Sequence, residues 1–286
     1  MALAKHLNYV LALGTRSYEL FYNAANETGS PLARIEQAFK PIGCVAPWSV
    51  THIGDLTLWI GSQNHDDPVV VALSGFEASV ISDPVIQRIL KSYSADLQYS
   101  RGIFLPVAGH AFYVIQLGRY WNQFDRTLVY DLKSLKWYEW TTVYDTGESA
   151  FNMTVATIRD GETIASGMFD GALYEVTDGT YLDGSQVIRF EARTEPWDAE
   201  ISARKFVSHA KLIGDLQTGT GTIDLAWSDD NYKTFSTARS IDLTRLTGVT
   251  RLGQTDRRVW RVKSEANLPI RLNGVEVTYS PGEYLV

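Results

Sequence analysis

Apolar and polar residues alternate with a period of two through most of this chain, in short runs that end at Gly, Asp or Asn. The clearest stretch is TLVYDLKSLKWYEWTT, from Thr127 to Thr142. Val129, Tyr130, Trp137, Tyr138 and Trp140 there are β-branched or aromatic, and Asp131 to Lys136 supplies a polar turn. Hairpins of this composition form the outer edge of β-propeller blades. From Leu7 to about Gly184 such runs fall into four groups, each with a long first pair and a short aromatic-rich finish. The first is LNYVLALG, SYELFYN and LARIEQAF; the second runs through SVTHIGDLTLWIGS, PVVVAL and EASVI. The third is GIFLPVAGHAFYVIQLG with the TLVYDLKS and KWYEWTT hairpin, and the fourth is NMTVATIRDGETIASGMF with GALYEVTDG. Equivalent points, such as His52, His110 and Thr157, recur at roughly 45 to 60 residues, close to the roughly 40 to 50 of propeller repeats. Four irregular blades follow from this count.

Turn chemistry agrees, because Gly54-Asp55, Asp160-Gly161, Asp170-Gly171 and Asp183-Gly184 sit between the runs. One segment breaks the pattern. Ser82 can cap a helix, Pro84 suits its first turn, and Val85, Ile86, Ile89, Leu90 and Tyr93 recur at helical spacing, which predicts a short amphipathic helix between the second and third groups. After about Gln186 the runs lengthen into VIRFEART, FVSHAKLIG, TGTIDLAWS, STARSIDL, RVWRVKSE and IRLNGVEVTYS, with little helix. Such a series predicts a β-sandwich. The expected organisation is all-β: an irregular, complete or incomplete β-propeller over residues 1–185, then a β-sandwich domain over 186–286.

At the start, MALAKHLNYVLALG has a lysine before an apolar run, as a secretory leader would. Asn8 and Tyr9 interrupt that run, no small-residue cleavage site follows, and Leu7, Tyr9, Leu11 and Leu13 alternate with their neighbours, so a strand is expected instead. No stretch approaches the roughly 20 apolar residues of a membrane-spanning helix, and no membrane span is expected.

Composition narrows the picture further. A chain of 286 residues that is 45% hydrophobic can fill one large core or two ordinary ones. A formal charge of −7 argues against a broad basic footprint for nucleic-acid phosphates. Cys44 is the only cysteine, so no intrachain disulfide can form and assembly in a reducing cytoplasm fits.

Candidate chemistry is sparse. SDDNYKTF, Ser228 to Phe235, approximates the Asp-box S-x-D-x-G-x-T-[WF] with Tyr232 at the glycine position, and as a lone copy it reads as a structural turn. Asp66, Asp67, Asp125, Asp131, Glu139, Asp145, Glu148 and Asp170 lie near turns, but nothing in their spacing selects the pair a glycosidase needs. Histidines 6, 52, 65, 110 and 209 are scattered without HxH, HExxH or CxxC grouping, so no metal is predicted; His52 and His110 read as packing or hydrogen-bonding residues. Cys44 reads as a small core residue, G-x-S-x-G is missing, and GTGTID lacks nucleotide-loop spacing, which leaves no catalytic residue and no cofactor site. The loop GRYWNQFDR is richer: Arg119, Tyr120, Trp121 and Phe124 have the composition of subunit-interface anchors, while the alternative is that these aromatics tuck under the neighbouring blade.

SYELFYNA, LARIEQAFKPIGCVAPWSV, GDLTLWIGS, GHAFYVIQL, TLVYDLKSLKWYEW and IDLAWSDDNYKTFS, in that order and spacing, resemble the tail accessory proteins of short-tailed bacteriophages called packaged-DNA stabilisation or tail nozzle proteins. The resemblance implies a structural virion protein rather than an enzyme: a hexameric ring that extends the portal and adaptor channel, retains packaged DNA and conducts it during ejection. Its implied partners are identical subunits, the head-to-tail adaptor, and tail needle, fibre or tailspike proteins. Double-stranded DNA would pass through without sequence-specific binding, along a wall whose carboxylates repel phosphate. The implied location is the virion tail, after assembly in the host cytoplasm. The chain departs from the family pattern at its start, where members carry a substantial region before the equivalent of LNYVLALG. The competing expectation is a carbohydrate-binding or sialidase-like propeller protein, since propellers and Asp-boxes occur in both.

Overall fold

The computed structural model describes residues 1–63, 67–120, 123–144, 146–168 and 170–282. Two compact units divide the chain, Met1–Asp178 and Gly179–Val286. The first is four consecutive antiparallel sheets, each a meander of strands adjacent in sequence. Ala2–His6, Tyr9–Leu13, Tyr18–Asn23 and Leu32–Arg34 make the first; Gly43–Ile53, Leu56–Gln63, Asp67–Ser74 and Glu77–Val80 the second. The third has five strands, Arg101–Val107, His110–Tyr120, Gln123–Asp131, Lys136–Tyr144 and Gly147–Ala150, and the fourth three, Val155–Arg159, Glu162–Ser166 and Leu173–Val176. The leading strand of each sheet lies against the leading strand of the next, so the sheets radiate as blades. No comparable contact joins the fourth sheet to the first among the described residues, and the arc is open.

The blades hold together through side chains facing each other across the gaps. Leu11, Leu13 and Leu20 of the first sheet meet Trp59, Val71 and Leu73 of the second. The opposite face of that sheet presents Leu58, Ile60 and Val70 to Tyr113, Ile115 and Leu128 of the third. The middle strands of the second sheet, LTLWIGSQ and DPVVVALS, are nearly continuous apolar runs because they are covered on both sides. Burial of each such Leu, Val or Ile contributes about 1.5–3 kcal/mol, so these junctions stabilise the unit. Ile103, Leu105 and Val114 of the third sheet close on Ala156, Ala165 and Val176 of the fourth, and the Thr163 hydroxyl donates to the Pro106 carbonyl at 2.8 Å.

Two local expectations change. The alternation from Leu7 to Leu13 is not one strand: Ala2–His6 pairs with Tyr9–Leu13 across a turn in which Leu7 takes φ +52°. Left-handed turn residues are usually glycine or asparagine, so a leucine there hid the hairpin. The helix is Pro84–Ser92, burying Ile86 and Leu90, but its cap is Asp83, whose carboxylate accepts from the Val85 and Ile86 amides. Ser82 instead accepts from the Val70 amide at 3.0 Å and ties the helix start to the second sheet.

The second unit is a β-sandwich. One sheet orders Phe190–Arg193, Val259–Ser264, Thr222–Ser228 and Arg239–Asp242; the other centres on Lys205–Gly214, with Leu272–Pro281 on one side and Val249–Thr250 and Gln254–Thr255 on the other. Val207, Leu212, Ile223, Leu225 and Trp260 fill the space between them, as the alternating runs after Gln186 predict. The architecture is therefore all-β, an irregular propeller followed by a sandwich.

Candidate functional site

Of the GRYWNQFDR segment, Gly118 to Tyr120 end the strand His110–Tyr120 and Gln123 to Arg126 begin its antiparallel partner Gln123–Asp131. Pairing slips on either side of Gly118, and a Cβ at that position would meet the Gln123 carbonyl oxygen at 2.1 Å, so only glycine lets the strands approach this closely. The bulge turns Arg119 toward the end of the helix. Its guanidinium carbon lies 5.1 Å from the centre of the Tyr93 ring, Nε is 3.6 Å from Asp125, and Nη1 is 3.9 Å from Asp96. The Tyr93 hydroxyl donates to Asp125 at 2.7 Å. Burial, and then the Asp125 carboxylate, push that hydroxyl up to about 12, which keeps it a neutral donor at any physiological pH.

Of the four predicted residues, the structure brings Arg119 and Tyr120 to the surface. Arg119 keeps about half its side chain in solvent and Tyr120 is 66% exposed. Phe124 is buried, with Arg101 over its ring at 5.7 Å. Trp121 lies outside the described residues, as do His65, Asp66 and Asp145. Tyr93, Asp96 and Asp125 complete the cluster. Asp125 was within the segment already singled out, but Tyr93 reads in sequence only as one more apolar helix position. Charges here are mutually paired, and among the described residues of the cluster no nucleophile stands beside a base; the arrangement leaves Tyr120 and about half of the Arg119 side chain in solvent.

Other candidate residues serve the fold. His6 is buried between the Thr57 hydroxyl and the Gly75 carbonyl, each 2.8 Å away, and His52 Nδ1 meets the same Thr57 hydroxyl at 3.0 Å. His110 Nδ1 lies 2.8 Å from Asp131. Burial of Asp131 disfavours its charge, yet bonds from Ser134, the Lys133 amide and His110 together hold its carboxyl below the usual range. Burial pushes the Cys44 thiol up to about 11, which leaves it an inert core residue. Among the described residues no three His, Cys, Asp or Glu side chains gather as metal ligands.

In the sandwich, Asp230 accepts from the Lys233 and Thr234 amides and from the Thr234 and Ser228 hydroxyls, forming the Asp-box turn. Tyr232 occupies the glycine position at φ +70°, and its hydroxyl donates to the Thr194 carbonyl at 2.9 Å, which offsets the backbone strain. Beside it, Asp229 grips Arg258 with two bonds of 2.7 and 2.8 Å, and the buried guanidinium lies over both Trp227 and Trp260. Sequence reading missed this pair, because no local spacing links positions so far apart.

Charge is distributed unevenly over the blades. The four leading strands, ALAKH, GCVAPWSVTHI, RGIFLPV and VATIR, contain Lys5, Arg101, Arg159 and two histidines but no carboxylate. Acidic side chains such as Asp55, Glu77, Asp160 and Glu175 sit in turns and outer strands.

Comparison with known proteins adds the following. A family model described as bacteriophage P22 Gp10, beta-propeller, matches residues 1–185. A search of curated proteins found no significant match. Among solved structures the chain is similar to a glycoside hydrolase (12% identity, TM-score 0.23, covering 94% of this chain and 67% of the other). It is also similar to an exo-beta-1,3-galactanase from Phanerochaete chrysosporium in complex with beta-1,3-galactotriose (9%, 0.23, 94% and 65%). A third is Trypanosoma rangeli sialidase in complex with sialic acid (8%, 0.26, 95% and 63%). Scores of that size carry no argument about fold or activity.

Proposed function

Because this chain belongs to the bacteriophage P22 Gp10 β-propeller family, whose members are phage tail accessory proteins that stabilise packaged DNA, we propose that it is a structural subunit of a ring in the virion tail. The ring extends the portal and adaptor channel, retains the genome and conducts it at ejection. The family match over residues 1–185 carries this reading. The architecture suits it: blades bury most strand edges and form a stiff block with loops at its rims, and a ring needs two different complementary patches on each subunit. Arg119 and Tyr120, exposed on a tip pinned to the helix, are suited to one patch. The partners in this reading are identical subunits, the adaptor, and needle, fibre or tailspike proteins, with the chain assembled in the host cytoplasm.

DNA in this reading passes without being read. Since the leading strands lack carboxylates, a phosphate-repelling wall would come from the acidic turns and outer strands.

The test uses DNA-filled heads bearing the adaptor but lacking this protein. Adding purified chain is expected to bind stoichiometrically and to protect the genome from nuclease, while an Arg119→Ala/Tyr120→Ala variant binds less. Equal DNA retention with and without the chain overturns the proposal.

A further inference from the structure

Two histidines of the first unit meet on one hydroxyl. Thr57, in the strand Leu56–Gln63 of the second sheet, is fully buried and stands opposite His52 in the register of that sheet. His6 ends the first strand of the first sheet and reaches across the junction: its Nδ1 lies 2.8 Å from Thr57 Oγ1 and its Nε2 2.8 Å from the Gly75 carbonyl. From the other side, His52 Nδ1 lies 3.0 Å from the same hydroxyl oxygen. Every bond in this row runs between residues of the first two sheets and their turns.

Counting donors and acceptors fixes the direction of the row. A carbonyl only accepts, so His6 Nε2 carries a proton, and in the neutral ring Nδ1 then accepts. The Thr57 hydroxyl must donate to it, which leaves the Thr57 oxygen to accept from His52 Nδ1. The neutral row therefore runs from His52 through Thr57 into His6. One added proton fits, because the outer nitrogen of exposed His52 can take it without changing the sense of any bond. A second proton does not fit. It would sit on His6 Nδ1, so that two N–H donors point at one buried hydroxyl and the hydroxyl's own proton loses its acceptor. Two positive rings would also face each other across Thr57.

The ionisable neighbours do not relieve that state. Lys5 adjoins His6 and adds a further positive charge, while Tyr9, opposite His6 in the hairpin, packs its ring against Phe76. The carboxylates on these segments are Asp55, exposed in the turn after His52, and Glu77, which lies 3.6 Å from Lys40. Among the described residues neither bonds to an imidazole.

We infer that the row of His6, Thr57 and His52 is a pH-sensitive latch between the first and second sheets, closed with at most one proton and opened by the second. Burial, then His6, then Lys5 hold the His52 imidazole below its ordinary value. The unfolded chain therefore binds this proton more readily than the folded one, so the stabilisation is full above about pH 6.5 and is lost as pH falls below it. Strand Ala2–His6 and the Leu7 turn should loosen first, because His6 carries that strand's side-chain bonds to the second sheet. The inference does not rest on the conduit reading.

Amide hydrogen exchange of the full chain, read by mass spectrometry between about pH 7.5 and about pH 5 and corrected for intrinsic rates, tests it. Protection over Ala2–Leu13 is expected to fall about tenfold or more across that range, while Thr222–Ser228 in the sandwich keeps its protection. His52→Gln removes one of the two protonation sites at an exposed position and should flatten the response to less than about threefold. Nitrogen-15 spectra of histidine-labelled protein near pH 7.5 give a second readout: the His52 signal, identified by its loss in His52→Gln, should show the proton on Nδ1. Protection of Ala2–Leu13 that is indifferent to pH, a response in His52→Gln equal to that of the wild type, or a His52 ring protonated on Nε2 alone overturns the inference.

Discussion

Asp230 accepts four hydrogen bonds, and its titration exposes what they contribute. Bonds from the Thr234 hydroxyl, then the Thr234 amide and Ser228, lower its carboxyl to about 2. An unfolded chain would titrate it near 3.9. The folded value is the lower one, so the contribution to stability is fully present above about pH 4 and is lost as pH falls toward 2. Thermal unfolding followed across that window should show the wild-type midpoint dropping relative to an Asp230→Asn variant, whose difference from wild type is greatest above pH 4. Parallel curves for the two proteins would mean that the turn does not depend on the ionised carboxylate. This residue was legible in sequence because a box of eight consecutive positions encodes it, even with Tyr232 standing for glycine. The adjacent Asp229 was not legible, because its meaning lies in Arg258, which is brought beside it only when the sandwich sheets form.

Elements follow the same division between local and non-local information. Strand alternation, the Asp-Gly turns and the helix periodicity were readable, and the four meanders correspond to the four groups of runs. Boundaries failed where one residue departs from its usual role, as Leu7 does in a left-handed turn and as Asp83 does in capping the helix instead of Ser82. The exposed tip at Arg119 and Tyr120 was visible as an unusual composition, but its anchoring on Tyr93 and Asp96 required knowing that the helix end lies beneath it. Gly118 is the element's structural pivot. Substituting alanine forces a methyl into the Gln123 backbone and should destabilise the first unit by about 1–3 kcal/mol, an overpacking cost. Denaturant unfolding of Gly118→Ala measures this, and an unchanged midpoint would show that the bulge relaxes freely.

At the scale of the whole molecule, the sandwich has its own core of Val207, Leu212, Ile223, Leu225 and Trp260, with Lys205 buried and its ammonium donating to three carbonyls. A unit with a complete core and a satisfied buried cation should stand alone. Residues 179–286 expressed by themselves are expected to unfold cooperatively, with a single calorimetric transition and dispersed amide resonances; a molten, dye-binding product would mean that the unit needs the rest of the chain.

Each blade is built from neighbouring stretches of chain, and each leans on the one made just before it. Such an order is well matched to synthesis, which delivers the amino terminus first at about 5–20 residues per second. The opening sheet can settle while later ones are still inside the ribosome, and every arrival finds its docking wall already standing. Maturation would then advance like a zipper from one end, with little need to bring distant segments together by chance.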